Sequence, residues 1–252
     1  MAQQKPLVLC VGDSQTDGTA GSSFVQRLAK ANPHLQFRAC GVNGMPSESM
    51  TKRMPRLLRR YFNPAAVLIM AGSNDCLEQQ CWSLSIFYRL GFWITRPATQ
   101  EVFVENMSRM VDTVQRTCPK AKVVVLTCPP LSEQPHNAAF QRTTEYNAAL
   151  QQHLRSHHPG AAVADVHTAF VQFLQKHAAR SKQLQMPVVR FNVLSCVIWQ
   201  PTAVLQHYLL RRSWDEISRL RGLQLLTDNV HINDTAAQLV AQTVQPFLQG
   251  VE

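Results

Sequence analysis

Gly12-Asp13-Ser14 lies near the start of the 252-residue chain and Asp228-Asn229-Val230-His231 near its end. These two tags hold a hydroxyl, an imidazole and a carboxylate. A serine hydroxyl is a poor nucleophile at neutral pH until an imidazole takes its proton, and the imidazole needs a carboxylate to fix its tautomer. Ser14, His231 and Asp228 can fill those three roles, which together equip a protein for acyl transfer to serine. The three-residue step from Asp228 to His231 lets the carboxylate accept from Nδ1–H within a loop or single turn, leaving Nε2 for the Ser14 proton. Among the other histidines only His167, two residues after Asp165, has a comparable neighbour. It reads as a structural or surface residue.

Two further turns carry hydrogen-bond donors: Gly41-Val42-Asn43-Gly44 and Gly72-Ser73-Asn74-Asp75. Taken singly, each is an ordinary turn signal, and an isolated Gly-Asp-Ser is most simply a strand-to-helix turn with Ser14 as a cap. Taken together they have a chemical reading. A tetrahedral intermediate places negative charge on an oxygen, and the N–H groups of Ser14 and Gly44 with the side-chain amide of Asn74 would form a three-donor oxyanion hole.

Such a site needs strands to bring its loops together. Short apolar, β-branched runs predict strands at 6–12, 35–40, 65–72, 121–128 and 161–165. Amphipathic stretches predict helices at 22–31, 101–117, 143–157 and 234–248, the last capped by Asn233 or Asp234. Strict alternation of this kind implies a parallel sheet with helices on both faces, in which sites gather at the carboxyl ends of strands. Ser14, Gly44, Asn74 and the Pro129-Pro130 loop each follow a predicted strand, so four loops should converge on one edge.

The four blocks, in this order and at these positions, resemble those of the SGNH (GDSL-type) hydrolase family: Gly-Asp-Ser-Gln at 12–15, Gly-Val-Asn-Gly at 41–44, Gly-Ser-Asn-Asp at 72–75 and Asp-Asn-Val-His at 228–231. The resemblance spans nearly the whole chain. It implies a three-layer α/β/α fold with a parallel five-stranded, flavodoxin-like sheet. It also implies a Ser14–His231–Asp228 triad, an oxyanion hole from Ser14, Gly44 and Asn74, and hydrolysis of carboxylic esters through an acyl-enzyme with no cofactor. No Gly-x-Ser-x-Gly elbow is present, so the α/β-hydrolase pattern does not apply.

The composition fits one domain over 1–252, with an apolar and basic insertion of roughly forty residues at about 181–226, judged against ordinary αβ connections. From Lys176 to Gly222 eight Lys or Arg face two acidic residues, a local excess of +6 out of +9 for the chain. Charge alone does not choose between nucleic acid, an anionic membrane and an acidic substrate. No nucleic-acid motif accompanies it, so none is expected as partner. Peripheral lipid contact through 181–226 is the better expectation. Residues 191–210 are uncharged, but seven are polar or proline, and a membrane crossing there would part Ser14 from His231. With Trp199 and Tyr208 inside and Arg190, Arg211 and Arg212 at its borders, the stretch suits a helical pair covering the site or lying at a lipid interface. A satellite cluster packed on the sheet is the simpler alternative. The aromatic run 81–93 could wall an acyl pocket opposite it, or be plain core.

Seven cysteines with no Cys-x-x-Cys read as free thiols in a reducing compartment, and no Cys/His grouping has zinc spacing, so no metal is expected. The first apolar run, 7–11, is too short for a secretory signal, which points to the cytoplasm. The expected activity is a serine esterase on acyl esters, lipid-like ones included. A carbohydrate O-acetyl esterase, a thioesterase or a lysophospholipase shares the same constellation. Outside catalysis, the alternative is a flavodoxin-like module binding lipid or nucleic acid. Residues that select the substrate are not readable.

Overall fold

The structure is a computed structural model and describes residues 5–177, 191 and 193–251. Five strands form: β1 (Leu7–Gly12), β2 (Gln36–Gly41), β3 (Ala66–Met70), β4 (Lys122–Leu126) and β5 (Ala162–Ala164). Each lies within a residue or two of its predicted run. They make one all-parallel sheet in the order β2-β1-β3-β4-β5. The chain steps outward from β1 to β2, then crosses back to β3 on the other side of β1. Loops leaving β1 and β3 therefore diverge at this point, which is where parallel sheets bind ligands.

Side chains alternate across each strand, so the sheet has two buried faces. Leu9, Val11, Val67, Ile69, Val123 and Val125 point into one core, covered by α3 (Ser47–Arg60), α6 (Gln100–Thr117) and α7 (Ala138–His157). Val8, Cys10, Leu68, Met70, Val124 and Leu126 point into the other, covered by α2 (Phe24–Ala31), α8 (Val166–Lys176) and α11 (Asp234–Val244). Helix α6 shows why: Phe103, Met107, Met110, Val111 and Val114 recur at helical spacing and are all buried, a stripe matched to a flat apolar sheet. Asn233 caps α11 by accepting from the Ala236 N–H at 2.9 Å.

Helix α3 has no counterpart among the predicted helices. It carries Arg53, Arg56, Arg59 and Arg60 and contains Pro55, and Pro46 supplies no side-chain cap. Its stripe of Met50, Met54, Leu57 and Leu58 nonetheless buries completely. The remaining helices are α1 (Ser14–Asp17), α4 (Ser73–Glu78), α5 (Trp82–Phe92), α9 (Val193–Tyr208) and α10 (Trp214–Leu220). Of the expected insertion, residues 181–190 and 192 lie outside the described residues. Its remainder holds α9 and α10, joined by a small cluster of Ala203, Val204, Trp214 and Ile217. That cluster contains no strand residue, and α9 also packs against α5. No helix among the described residues is long and apolar enough to cross a membrane.

Candidate active site

Strand β1 ends at Gly12, where the chain turns at once into α1. A Cβ on Gly12 would sit 2.7 Å from the Met70 carbonyl and overlap Thr16 Oγ1 at 2.1 Å, so the turn requires glycine. Asp13 caps the new helix, accepting from the Gln15 N–H at 2.9 Å. Ser14 is thereby fixed as the first helical residue at the sheet edge, its own N–H without an acceptor among the described residues.

The imidazole arrives from the other end of the chain. His231 Nε2 lies 2.9 Å from Ser14 Oγ, and its Nδ1 lies 2.7 Å from Asp228 Oδ2. The second carboxylate oxygen, Oδ1, accepts from the N–H groups of Val230 at 3.0 Å and His231 at 2.7 Å. All three side chains are buried. Burial raises the Asp228 pKa, but the His231 charge, its hydrogen bond and the two N–H groups outweigh it and hold the carboxyl below its ordinary value. For His231 burial lowers the pKa, and the Asp228 charge and hydrogen bond, helped by Asp13, raise it above the ordinary 6.5. The geometry orders a proton path from Oγ to Nε2, with Nδ1 anchored.

Three residues without an assigned role in the sequence hold this loop. Gln15 donates from Nε2 to the Val230 carbonyl at 2.5 Å and accepts the Ile232 N–H at 3.3 Å, clamping both sides of His231. Glu133, buried after β4, accepts the N–H groups of Gln224, Leu225 and Leu226 at 2.7–3.1 Å. Arg221 donates to the carbonyls of Thr227 and Trp199 at 3.0 and 2.9 Å and stacks over the Trp199 ring. It thus fastens α9 to the loop that carries Asp228. The β4 loop therefore serves differently from the expectation: Pro129-Pro130 do not line the cavity, and the segment instead braces the loop of Asp228 and His231 from behind, with the Ser132 N–H donating to the Asn229 carbonyl at 2.9 Å. Only its place in the Gly-Asp-Ser-Gln block could have flagged Gln15, and nothing in the sequence marks Glu133.

Gly44 and Asn74 stand on the remaining side of Ser14. Gly44 adopts φ +73°, and a Cβ there would meet Phe92 Cζ at 2.9 Å. Its N–H also has no acceptor among the described residues. Asn74 Nδ2 donates to Asp13 Oδ2 at 3.0 Å and to the Met45 carbonyl at 3.3 Å, while the Tyr88 hydroxyl donates to Asn74 Oδ1 at 2.8 Å. Burial raises the Asp13 pKa to about 6 despite the Gln15 N–H and the His231 charge. Behind Asn74, Asp75 accepts the Ser47 N–H at 3.1 and 3.2 Å and the Ser47 hydroxyl at 2.5 Å. It is the missing cap of α3. His167 is buried and bonds Thr144 Oγ1 through Nε2 at 3.0 Å, a structural residue away from this site. Among the described residues no grouping of His, Cys, Asp or Glu could hold a metal ion.

Ser14, Gly44, Asn74 and His231 form the floor of a cavity of about 530 Å³. Leu84, Phe87, Tyr88 and Phe92 of α5 make one wall, and Trp199, Pro201 and Val204 of α9 face them, with Phe191 and Val193 beside. Asn43, Gln200 and Asp228 are its other polar contributors.

Solved structures share this architecture. A lipolytic protein of the G-D-S-L family from Veillonella parvula has 12% identity and a TM-score of 0.62, covering 97% of this chain and 98% of its own. The acetylxylan esterase of Geobacillus stearothermophilus has 17% identity and a TM-score of 0.60, covering 98% and 95%. An α/β hydrolase from the metagenome of Lake Arreo, Spain, has 20% identity and a TM-score of 0.59, covering 96% and 93%. At such identities the likeness concerns the fold. No curated protein matches the chain in sequence. The profile of the GDSL-like Lipase/Acylhydrolase family matches residues 10–186, which hold Ser14, Gly44 and Asn74 but stop short of Asp228 and His231. With some seven-tenths of its length matched, the chain belongs to the GDSL-like lipase/acylhydrolase family and is a carboxylic ester hydrolase of that kind.

Proposed function

We propose that the protein is a serine esterase that cleaves esters of apolar acyl groups through an acyl-enzyme, as one catalytic domain with 181–226 inserted. The observation that carries this reading is the Ser14–His231–Asp228 chain, with contacts of 2.9 and 2.7 Å, opening into an apolar cavity. Ser14 Oγ attacks the ester carbonyl as Nε2 of His231 takes its proton. The carbonyl oxygen, now negative, accepts from the N–H groups of Ser14 and Gly44 and from Asn74 Nδ2, whose long bond to Met45 is the one that yields. Collapse expels the alkoxide, which leaves as the alcohol with the proton of His231. Water, deprotonated by the same imidazole, then releases the acid and restores Ser14. Asp228 orients the ring and balances its transient charge.

The two helical walls offer the acyl chain aromatic and aliphatic surface, and lipid-like esters, including lysophospholipids or thioesters, suit them. Lipid contact through the described part of 181–226 belongs to the same reading. A reducing compartment such as the cytoplasm suits the six described cysteines, all of them free. The acetylxylan esterase neighbour raises a second reading, removal of acetyl groups from carbohydrate. Against it, a sugar needs several hydrogen-bonding side chains, and the cavity walls supply few beyond Asn43 and Gln200.

The test is a panel of p-nitrophenyl esters of increasing acyl length, run beside a fluorophosphonate probe. We expect kcat/KM to rise beyond acetate and the probe to label the protein but not its Ser14→Ala variant. Strict acetate preference would overturn the acyl-chain reading. Labelling that survives Ser14→Ala would overturn the assignment of the nucleophile.

A further inference from the structure

Large apolar side chains are unevenly exposed on this protein. Twelve stand out among the described residues, and ten of them lie on α5, on α9 or in the residue or two after each. On α5 the exposed positions Trp82, Ile86, Leu90 and Trp93 recur at steps of four, four and three, one stripe along the outer side, opposite the buried Leu84 and Tyr88. On α9 the exposed Ile198, Pro201, Leu205 and Tyr208 do the same. These are the two helices that wall the cavity. The stripes meet its mouth at Phe87 and Pro201, each at once exposed and part of the cavity lining. An apolar surface of this kind, continuous with a binding site, marks an interaction face.

We infer that the outer stripes of α5 and α9 dock the protein on the surface of an anionic lipid bilayer, with the cavity mouth facing the lipid. Charge chooses this occupant. Residues 81–100 and 193–214 contain no acidic side chain and four arginines: Arg89, Arg96, Arg211 and Arg212. Arg89 and Arg96 pair with Glu78 and Glu105. Arg211 and Arg212, at the end of the α9 stripe, have no ion-pair partner among the described residues. The aromatics also fit, since the indoles of Trp82 and Trp93 end the α5 stripe at 77% and 83% exposure and Tyr208 ends that of α9. Amphipathic rings at the margins and arginines beside them are the composition of a helix lying in a lipid interface. A second copy of the chain would bring the same arginines against each other. The cavity, floored by Ser14, would then receive an acyl ester from the bilayer without its passing through water. This use rests on the esterase reading; the docking geometry does not.

Vesicle sedimentation with the catalytically dead Ser14→Ala protein therefore separates the two. We expect binding to vesicles of phosphatidylcholine with about one-third phosphatidylserine, weaker binding to phosphatidylcholine alone, and weakening by salt. Leu90→Glu/Trp93→Glu, at positions whose side chains pack against little, should lower the partition coefficient at least tenfold, since inserting a leucine and a tryptophan supplies more than one power of ten. The same pair of substitutions should leave kcat/KM for soluble p-nitrophenyl acetate within about twofold, which also reports that the variant is folded. Arg211→Gln/Arg212→Gln should erase the preference for anionic vesicles. Absence of vesicle binding, binding unmoved by the α5 substitutions, or a concentration-dependent dimer that the same substitutions dissolve would each overturn the inference. Loss of esterase activity with vesicle binding intact would count against the chemistry alone.

Discussion

Replacing Asp75 by asparagine should change how stability depends on pH, by an amount the structure sets. The carboxylate is buried behind the candidate oxyanion hole, where it caps α3 through the N–H and hydroxyl of Ser47, and Asn106 Nδ2 completes the group by donating to Ser47 Oγ at 3.0 Å. Burial lifts its pKa from 3.8 to about 6, against the pull of the Ser47 bonds and with a push from Glu78. Between those two values the folded protein binds a proton at this site that the unfolded chain has released, so stability falls as pH rises through the window and levels off above about 6. At about 1.4 kcal/mol for each power of ten in proton affinity, the fall is about 3 kcal/mol. Asparagine keeps an oxygen for Ser47 and never ionises. Wild type should therefore lose about 3 kcal/mol relative to Asp75→Asn between about pH 4 and pH 7.5, read in urea as a change of about 1–2 M in the gap between midpoints at constant m. Asp13, whose pKa is also raised to about 6, titrates in both proteins, and the part of its rise owed to the Asp75 charge disappears in the variant, which widens the gap in the same direction. A gap that stays constant with pH, or that moves in favour of wild type at neutral pH, would refute the reasoning.

Other consequences concern the reaction and the loop that completes it. Because His231 must be neutral to accept a proton and its pKa lies above 6.5, kcat/KM should rise with pH through an inflection above that value. Asp228→Asn should move the inflection down and lower kcat by about 10⁴ through loss of the correct tautomer; an unmoved inflection would dissociate the two residues. Asn74→Ala should reduce kcat by about 10²–10³ with little change in KM. Tyr88→Phe, which frees the amide to rotate, should produce a smaller loss of the same kind, and steady-state kinetics on one ester distinguishes both from a binding defect. Glu133→Ala takes the acceptor from the buried N–H groups of Leu225 and Leu226 at about 1–3 kcal/mol each, so the denaturation midpoint should drop by an amount equivalent to several kcal/mol; a loss under about 1 kcal/mol would mean that water replaces the carboxylate.

What could be read from the chain follows the range of the interactions involved. The five strands were legible because runs such as Ala66–Met70 are apolar on both faces, and α11 because Asn233 sits one residue before it. The first three blocks were legible because each follows a strand end and opens on or beside glycine, and the fourth because Asp228 stands three residues before His231. Helix α3 was not, since its charged surface and Pro55 obscure the stripe of Met50, Met54, Leu57 and Leu58, and its cap comes from Asp75, 28 residues away. Glu133 was equally silent, because its three donors lie some ninety residues further on. The orientation of Asn74 depends on Tyr88, whose hydroxyl is supplied by a helix that in sequence is simply an apolar run. The sequence left open whether the aromatic run 81–93 walls a pocket or is plain core; α5 and α9 line one cavity, with Arg221 holding α9 to the loop of Asp228.

The contact between Ser14 and His231 spans 217 residues, and the stitches around it are of the same reach: Gln15 to Val230, Ser22 and Arg27 to Asp234, Asn32 to Gln245. The first and last segments are thus sewn to each other at one corner of the sheet. Loosening either segment therefore parts Ser14 Oγ from His231 Nε2, so that contact is only as durable as the docking of α11 against α2.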